Sequence, residues 1–410
     1  MKPITTTTTI TTFLTILLLL LTSCQTSKKP QTDLITIDII PALNNFKEFR
    51  LSELVDSIEY VKLETKPECL ISSASRVIGK KYILLLNGQP PQVLLFDRSG
   101  KFLRLIGKIG KGPGEYTFPL RIDISPDEDR IIVFDFVQKL FLEYSMDGSF
   151  ISSYKAPFGM EEGPYYLDQH YIVFMQSPLS DSLHYPRVIA MNLETGEQKA
   201  LYFFNYKRNP NQGSGVYLKN DFYRTDEGIV FKDALCDTIY RLLPDFSVKP
   251  IYSLNSFTNK AIYYSMTEQV IDAVSRVALA CFTPQFLFLL GNDKERFHLV
   301  YNSATKETFR LPEIKECRGD NDYSYGIVND LDGTGPFWFW NGNIRNSITS
   351  NQFQIVDLKE LIKTDCFTKA DLKTNQYRDQ LKKLVEESSE NDNPIIRIMH
   401  LRKLQTIKNK

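Results

Sequence analysis

The sequence predicts an all-β fold, a six-bladed β-propeller with a short C-terminal helical appendage. Three observations predict it. Between Gln92 and Tyr154, short apolar runs alternate with tight turns: Val93–Phe96, then Asp97-Arg98-Ser99-Gly100, then Phe102–Ile106, with a restart after a Gly/Pro loop over 107–114. Runs of β-branched and aromatic residues closed by Ser-Gly or Asp-Gly are antiparallel strands joined by hairpin turns. The turns Ser99-Gly100, Asp147-Gly148 and Thr195-Gly196 follow one another at 48 residues, and weaker matches at Pro244-Asp245, Ala304-Thr305 and Ser350-Asn351 bring the turns to six. A period of ~40–50 residues with four strands per unit is the signature of a propeller. A β-sandwich or two unrelated β domains are the competing architectures, but a sandwich has no reason to keep an equal step, whereas blades must repeat to close a ring. The third observation is composition, with 27 Phe and 21 Tyr in 410 residues and few helix-forming runs, which favours strands.

The chain begins with Lys2 and a short apolar run, Phe13–Leu21, ending in Leu21-Thr22-Ser23-Cys24. The run is too short for a membrane-spanning helix and fits the apolar region of a secretory signal. The tetrapeptide looks like a bacterial lipobox, which makes Cys24 the expected lipidation site; the alternative is an ordinary signal with an incidental cysteine. The expected organisation is therefore a signal peptide over 1–23, a polar tether over 24–33 and a propeller over 34–410. Several acyl chains on one residue anchor stably where one does not.

Further along, 34–40 is expected as a first strand, 51–55 as a helical turn and 57–63 as a strand with one buried face, because it alternates with period two. An insertion over 263–273 looks helical. Thr368, three residues before Asp371, resembles a capping-box start; Leu372, Leu381, Leu384 and Val385 then form one helical face. Asn393-Pro394 stops that helix, and 395–401 reads as a final strand.

Lys+Arg and Asp+Glu number 49 each. The balance leaves no global field for nucleic acid or for an anionic membrane surface. Six cysteines stand far apart with no C-x-x-C; isolated buried thiols are expected rather than a disulfide framework.

At Ile106-Gly107-Lys108-Ile109-Gly110-Lys111-Gly112-Pro113-Gly114-Glu115-Tyr116 the chain resembles the six-bladed β-propeller lipoproteins of Bacteroides-type bacteria, relatives of NHL-repeat propellers. Tyr60–Thr65, Asp237–Tyr240 and Asn393-Pro394 with the apolar strand after it match the same family. The resemblance covers nearly the whole mature chain. It implies fold and an envelope location and carries over no catalytic residue; Gln25 rather than Asp after Cys24 makes outer-membrane sorting the expectation, on the periplasmic or surface face.

The glycine loop could present backbone N–H groups and Lys111 to an anion. It is not a Walker A loop, because Pro113 stands where the Lys belongs. It is not a dinucleotide fingerprint, because a strand and not a helix follows. A crossover between blades, with glycines at positive φ, is the structural reading. The histidines (His170, His184, His298 and His400) lack metal-ligand spacing, and no G-x-S-x-G occurs. Asn329-Asp330-Leu331-Asp332-Gly333 lacks the first and last acids of a calcium loop and reads as a turn. Phe337-Trp338-Phe339-Trp340 reads as a blade strand, its aromatics in the core or one tryptophan lining a groove.

Function is expected to be binding or scaffolding for an envelope protein or a glycan, with no cofactor and no metal. The alternative is a glycan-directed hydrolase or lyase with carboxylates at the central channel. Lys111, Arg121 and Asp123 are the candidate ligand contacts, the last two because they begin the strand expected to lie innermost. None of the three is expected in the apolar core.

Overall fold

The computed structural model describes residues 34–157, 159–176, 184–205, 221–232, 236–256, 276–293, 295–314, 326–339 and 343–403. The chain divides into Met1–Ile35 and Thr36–Lys410, and the second unit is the propeller. Its first blade has strands Ala74–Ile78, Tyr82–Asn87, Gln92–Asp97 and Phe102–Ile106; the second has Pro119–Ile124, Arg130–Asp135, Leu140–Ser145 and Phe150–Lys155. The third runs Met160–Tyr166, Tyr171–Gln176, His184–Asn192 and Gln198–Asn205. The fourth runs Asp221–Thr225, Gly228–Lys232, Thr238–Leu242 and Val248–Asn255, and Ile35–Asp38 adds a fifth strand on its outer edge. The fifth has Arg276–Phe282, Phe286–Asp293, Glu295–Asn302 and Thr308–Arg310. All pairings within these blades are antiparallel.

The apolar runs are almost unbroken because each blade is buried on both faces. In the first blade Ile83, Leu85, Leu94 and Phe96 pack against Ile396 and Ile398 of the last blade. The intervening Leu84, Leu86, Val93 and Leu95 pack against Ile122, Ile131, Val133 and Leu142 of the second. The second blade repeats the pattern, turning Ile132, Phe134 and Phe141 to Ile172 and Phe174 of the third. Strand period two thus divides each run between two interfaces. Each such side chain contributes roughly 1.5–3 kcal/mol by leaving water.

The sixth blade departs from the repeat and closes the ring. Its strand order is Val55–Lys62, Ile395–Leu401, Ile348–Phe353, so the N-terminal segment supplies the outer strand and residues 395–401 lie in the middle. Velcro-like pairing of this kind removes an open edge. The C-terminal helical region lies within this blade, as Ile355–Leu361, Asp365–Thr368 and Gln376–Glu386 between the inner and middle strands. Leu358, Leu381 and Val385 pack there with Phe49, Leu54 and Met399.

Several local expectations are corrected. Ser350-Asn351 is not a turn; it sits mid-strand opposite Ile398 and Arg397. The last long helix begins at Gln376, not near Thr368. Thr364 caps the short helix instead, accepting from the Phe367 amide, and the Lys373 amide is drawn to the Asp330 carbonyl. The strand expected over 34–40 gives way to a helical turn at Ile39–Ala42. Phe337, Trp338 and Phe339 are buried but form no blade strand; Phe337 makes a single bridge with Ile327, and Phe339 lies 4.8 Å from Phe288. Cys69 and Cys281 are buried thiols as expected. Cys366 is disulfide-bonded, which the scattered spacing did not suggest, and its partner lies outside the described residues. The insertion over 263–273, Trp340 and Cys24 also lie outside them.

The loop between the first two blades has the crossover role expected of it. Lys108–Ile109 and Glu115–Tyr116 form a small parallel ladder, with Gly107 at φ +64° and Gly114 at φ +71°. A Cβ at Gly107 would stand 2.8 Å from the Tyr116 ring and from the Tyr144 hydroxyl, so both the backbone and the space demand glycine.

Candidate functional site: the axial cavity

The innermost strand of each blade runs along the propeller axis, and its side chains converge there from positions far apart in sequence. A cavity of about 450 Å³ is lined by Ala74–Ile78 of the first blade, Leu120–Asp123 of the second, and Glu162, Gly163 and Tyr165 of the third. Tyr223 and Arg224 of the fourth blade, Ile348–Ser350 of the sixth, and Asn343 and Arg345 just before the sixth complete it. The size is that of a small-molecule site.

Asp123 organises the polar wall. It is 2% exposed, and its Oδ2 accepts from Arg224 Nη2 at 2.7 Å and from the Tyr166 amide at 2.8 Å, while Oδ1 faces Arg345 Nη1 at 3.3 Å. Arg224 also donates to the Tyr166 carbonyl. Arg345 continues to the Ile124 and Ser125 carbonyls, each at 2.6 Å. Burial pulls the Arg345 guanidinium below its ordinary pKa, against the opposing pull of Asp123. One carboxylate thus ties the second, third and fourth blades to the segment leading into the sixth.

Around this hub, Arg121 lies 3.7 Å from Glu162 and keeps more solvent contact than the other pairs. Tyr165 accepts from Asn343 Nδ2 at 2.9 Å and sits beneath Arg224, whose guanidinium carbon is 5.6 Å from the ring centre. Burial pushes the Tyr165 and Tyr223 phenols up, with Glu162 adding at the first and Asp221 at the second, so both stay neutral donors and acceptors. Arg76 donates from Nε to Ser350 Oγ at 3.0 Å and from Nη2 to the Ser350 carbonyl, joining the first and sixth blades.

Two of the residues singled out from sequence, Arg121 and Asp123, do meet at this cavity. Asp123, contrary to expectation, is a buried structural group as well. Lys111 is exposed on the crossover loop and is not among the lining residues. The anion-binding capacity of that loop is partly taken internally, since the Gly112 amide donates to Glu115 at 2.8 Å and Lys108 pairs with the same carboxylate at 3.1 Å. These bonds, the Gly112 amide first and then Lys108, hold the Glu115 carboxyl below its usual pKa. Arg76, Glu162, Tyr165, Tyr223, Arg224, Asn343 and Arg345 were not singled out. The available signal was a polar or aromatic residue at an alternate position of each blade's first strand, as in Arg76 of Ala74–Ile78 and Arg224 of Asp221–Thr225.

The described histidine side chains stand elsewhere. His170 pairs with Glu194 at 2.9 Å, His400 lies 3.5 Å from Glu59, and His298 packs 4.2 Å from Trp338, where burial pulls it down to about 4. Among the described residues no His/Cys/Asp/Glu group is placed to hold a metal ion, and no helix is long and apolar enough to cross a membrane. Asn329 Oδ1 accepts from the Leu331 and Asp332 amides, forming the turn read from sequence.

A family model described as "Domain of unknown function (DUF4934)" matches residues 34–400. No curated protein matches the chain. Among solved structures, one described as an exported protein of Bacteroides fragilis is 17% identical, with a TM-score of 0.57 over 90% of this chain and all of that one. A member of the DUF4221 family from Bacteroides vulgatus is 15% identical, with a TM-score of 0.46 over 62% of this chain and 85% of that one. At 17% identity the likeness to the Bacteroides fragilis protein speaks for the fold alone.

Proposed function

Since the chain belongs to the DUF4934 family, whose description carries no activity, we propose from its site that it is a lipid-anchored envelope propeller that binds a protein or glycan partner and does not transform it. One observation carries the binding reading. The axial cavity contains four guanidiniums and two carboxylates, and both carboxylates are already engaged by arginines. Asp123 accepts from three donors, which leaves it little capacity to take or give a substrate proton. A wall of arginine and tyrosine around a preformed hollow is instead a recognition surface.

The address rests on the sequence over 1–23 as a signal, 24–33 as a tether, and Cys24 as the lipidated residue. The exported neighbour from Bacteroides fragilis and the disulfide at Cys366 agree with a compartment outside the cytosol. Gln25, rather than Asp, after Cys24 favours outer-membrane sorting by analogy with other lipoproteins. Changing Cys24 to Ala is expected to abolish acyl labelling and move the protein out of the membrane fraction; unchanged label and fractionation would refute the anchor.

Retention of envelope proteins and soluble glycans on the immobilised chain tests the binding reading. Arg121→Ala is expected to weaken retention while leaving the melting temperature within a few degrees, because Arg121 is the partly exposed arginine of the cavity and its 3.7 Å pair with Glu162 is long and solvent-screened. Retention unchanged in this variant would remove the cavity from the account. Turnover of a retained glycan, lost in Glu162→Gln, would favour the hydrolase or lyase reading.

A further inference from the structure

We infer that the axial cavity is a receptor site for a small organic anion bearing a carboxylate, and that Arg76 is the group that meets its charge. The inference rests on the reading of the cavity as the binding site and names the chemistry it accepts. Charge accounting leads to Arg76. Asp123 is taken by Arg224 and Arg345, and Glu162 by Arg121. Arg76 makes no ion pair among the described residues; its hydrogen bonds there go to Ser350 Oγ and the Ser350 carbonyl. An inward-facing guanidinium without a counter-ion is costly, and an incoming anion removes that cost.

Geometry narrows the class. A guanidinium has five N–H donors in a planar fork. Ser350 uses the Nε donor and one donor of Nη2. The remaining Nη2 donor and its Nη1 neighbour form the end-on pair that fits the two oxygens of a carboxylate. Burial, with Arg397 nearby, lowers the Arg76 pKa to about 10, which still leaves it charged at neutral pH.

The rest of the cavity argues for an organic body behind that carboxylate. At about 450 Å³ it is far larger than a lone ion needs, and Val77, Ile122 and Ile348 present apolar surface beside the Tyr165 and Tyr223 rings. Apolar and aromatic walls with a few placed polar groups are the usual make-up of a small-molecule site.

Calorimetric titration of the full chain with benzoate, glucuronate, inorganic phosphate and glucose tests the proposal. Saturable binding of benzoate or glucuronate is expected, weakened at least ~10-fold in Arg76→Gln, equivalent to about 1.4 kcal/mol. It is expected to be partly kept in Arg76→Lys, which retains the charge but not the fork. Arg104→Gln, on an outer strand of the first blade, is expected to bind as the parent does. If Arg76→Gln does not fold, the Arg76 Nε–H resonance of the parent, assigned by its loss in Arg76→Lys, must shift on addition of the carboxylate. Absence of carboxylate binding, preference for phosphate, or unchanged affinity and resonance overturn the proposal. If glucose or a neutral glycan binds and remains sensitive to Arg121→Ala, only the carboxylate class fails; if nothing binds, the cavity reading fails with it.

Discussion

Replacing Asp123 by alanine is expected to cost about 3–5 kcal/mol of stability, the largest effect of any single change at the axis. The carboxylate is almost fully buried, and its removal leaves Arg224 and Arg345 facing each other with their charges uncompensated. It also leaves the Tyr166 amide without its acceptor. The loss acts on several blades at once, because these partners come from the third blade, the fourth and the segment before the sixth. Asp123→Asn, which keeps the shape and one acceptor oxygen, is expected to lose less. A urea unfolding series checks this; a shift below about 1 kcal/mol for the alanine variant would mean that the guanidiniums find other partners.

The second large effect is expected at the ring closure. Asp332 is fully buried, accepting from Tyr60 Oη at 2.6 Å and from Arg397 Nη1 at 2.8 Å. Burial opposes its ionisation, but Arg397 and the Tyr60 hydroxyl prevail and hold its pKa at about 2, below the ordinary 3.8. A depressed carboxyl contributes stability that is fully present above its unfolded pKa and disappears as pH falls through its folded one. The contribution, roughly 2–3 kcal/mol, should therefore be intact above about pH 4 and lost progressively towards pH 2. Asp332→Asn is expected to destabilise the protein at neutral pH by about 3 kcal/mol or more, because Arg397 is left buried and unpaired. It is also expected to flatten the acid limb of the stability profile. An acid limb as steep in the variant as in the parent would assign that sensitivity to other groups.

The architecture was legible in the sequence where its cause is local. Glycine at a hairpin turn and period-two apolar runs are properties of a few adjacent residues, and the equal 48-residue step of the first three turns records blades that must match to pack. The reading failed where the structure is non-local. The sixth blade joins 55–62, 348–353 and 395–401, so no step along the chain could show it, and Ser350-Asn351 looked like a turn. The site was half legible for the same reason. Arg121 and Asp123 fall in one strand and were found together. Arg76, Arg224 and Arg345 stand far apart in the chain, and only closure of the ring makes them neighbours. Lys111 illustrates the reverse, a conspicuous cation in a conspicuous loop that folds away from the cavity lining.

The central claim is that the partner is held at the axial cavity. A crystal structure of the full chain grown with a retained glycan, or with a retained protein's minimal segment, tests it most directly. That ligand is expected inside the ring, within hydrogen-bond reach of Arg121 or Arg76 and against Tyr165 or Tyr223. A ligand bound on the outer strands of the blades, with the axis unoccupied, would contradict it.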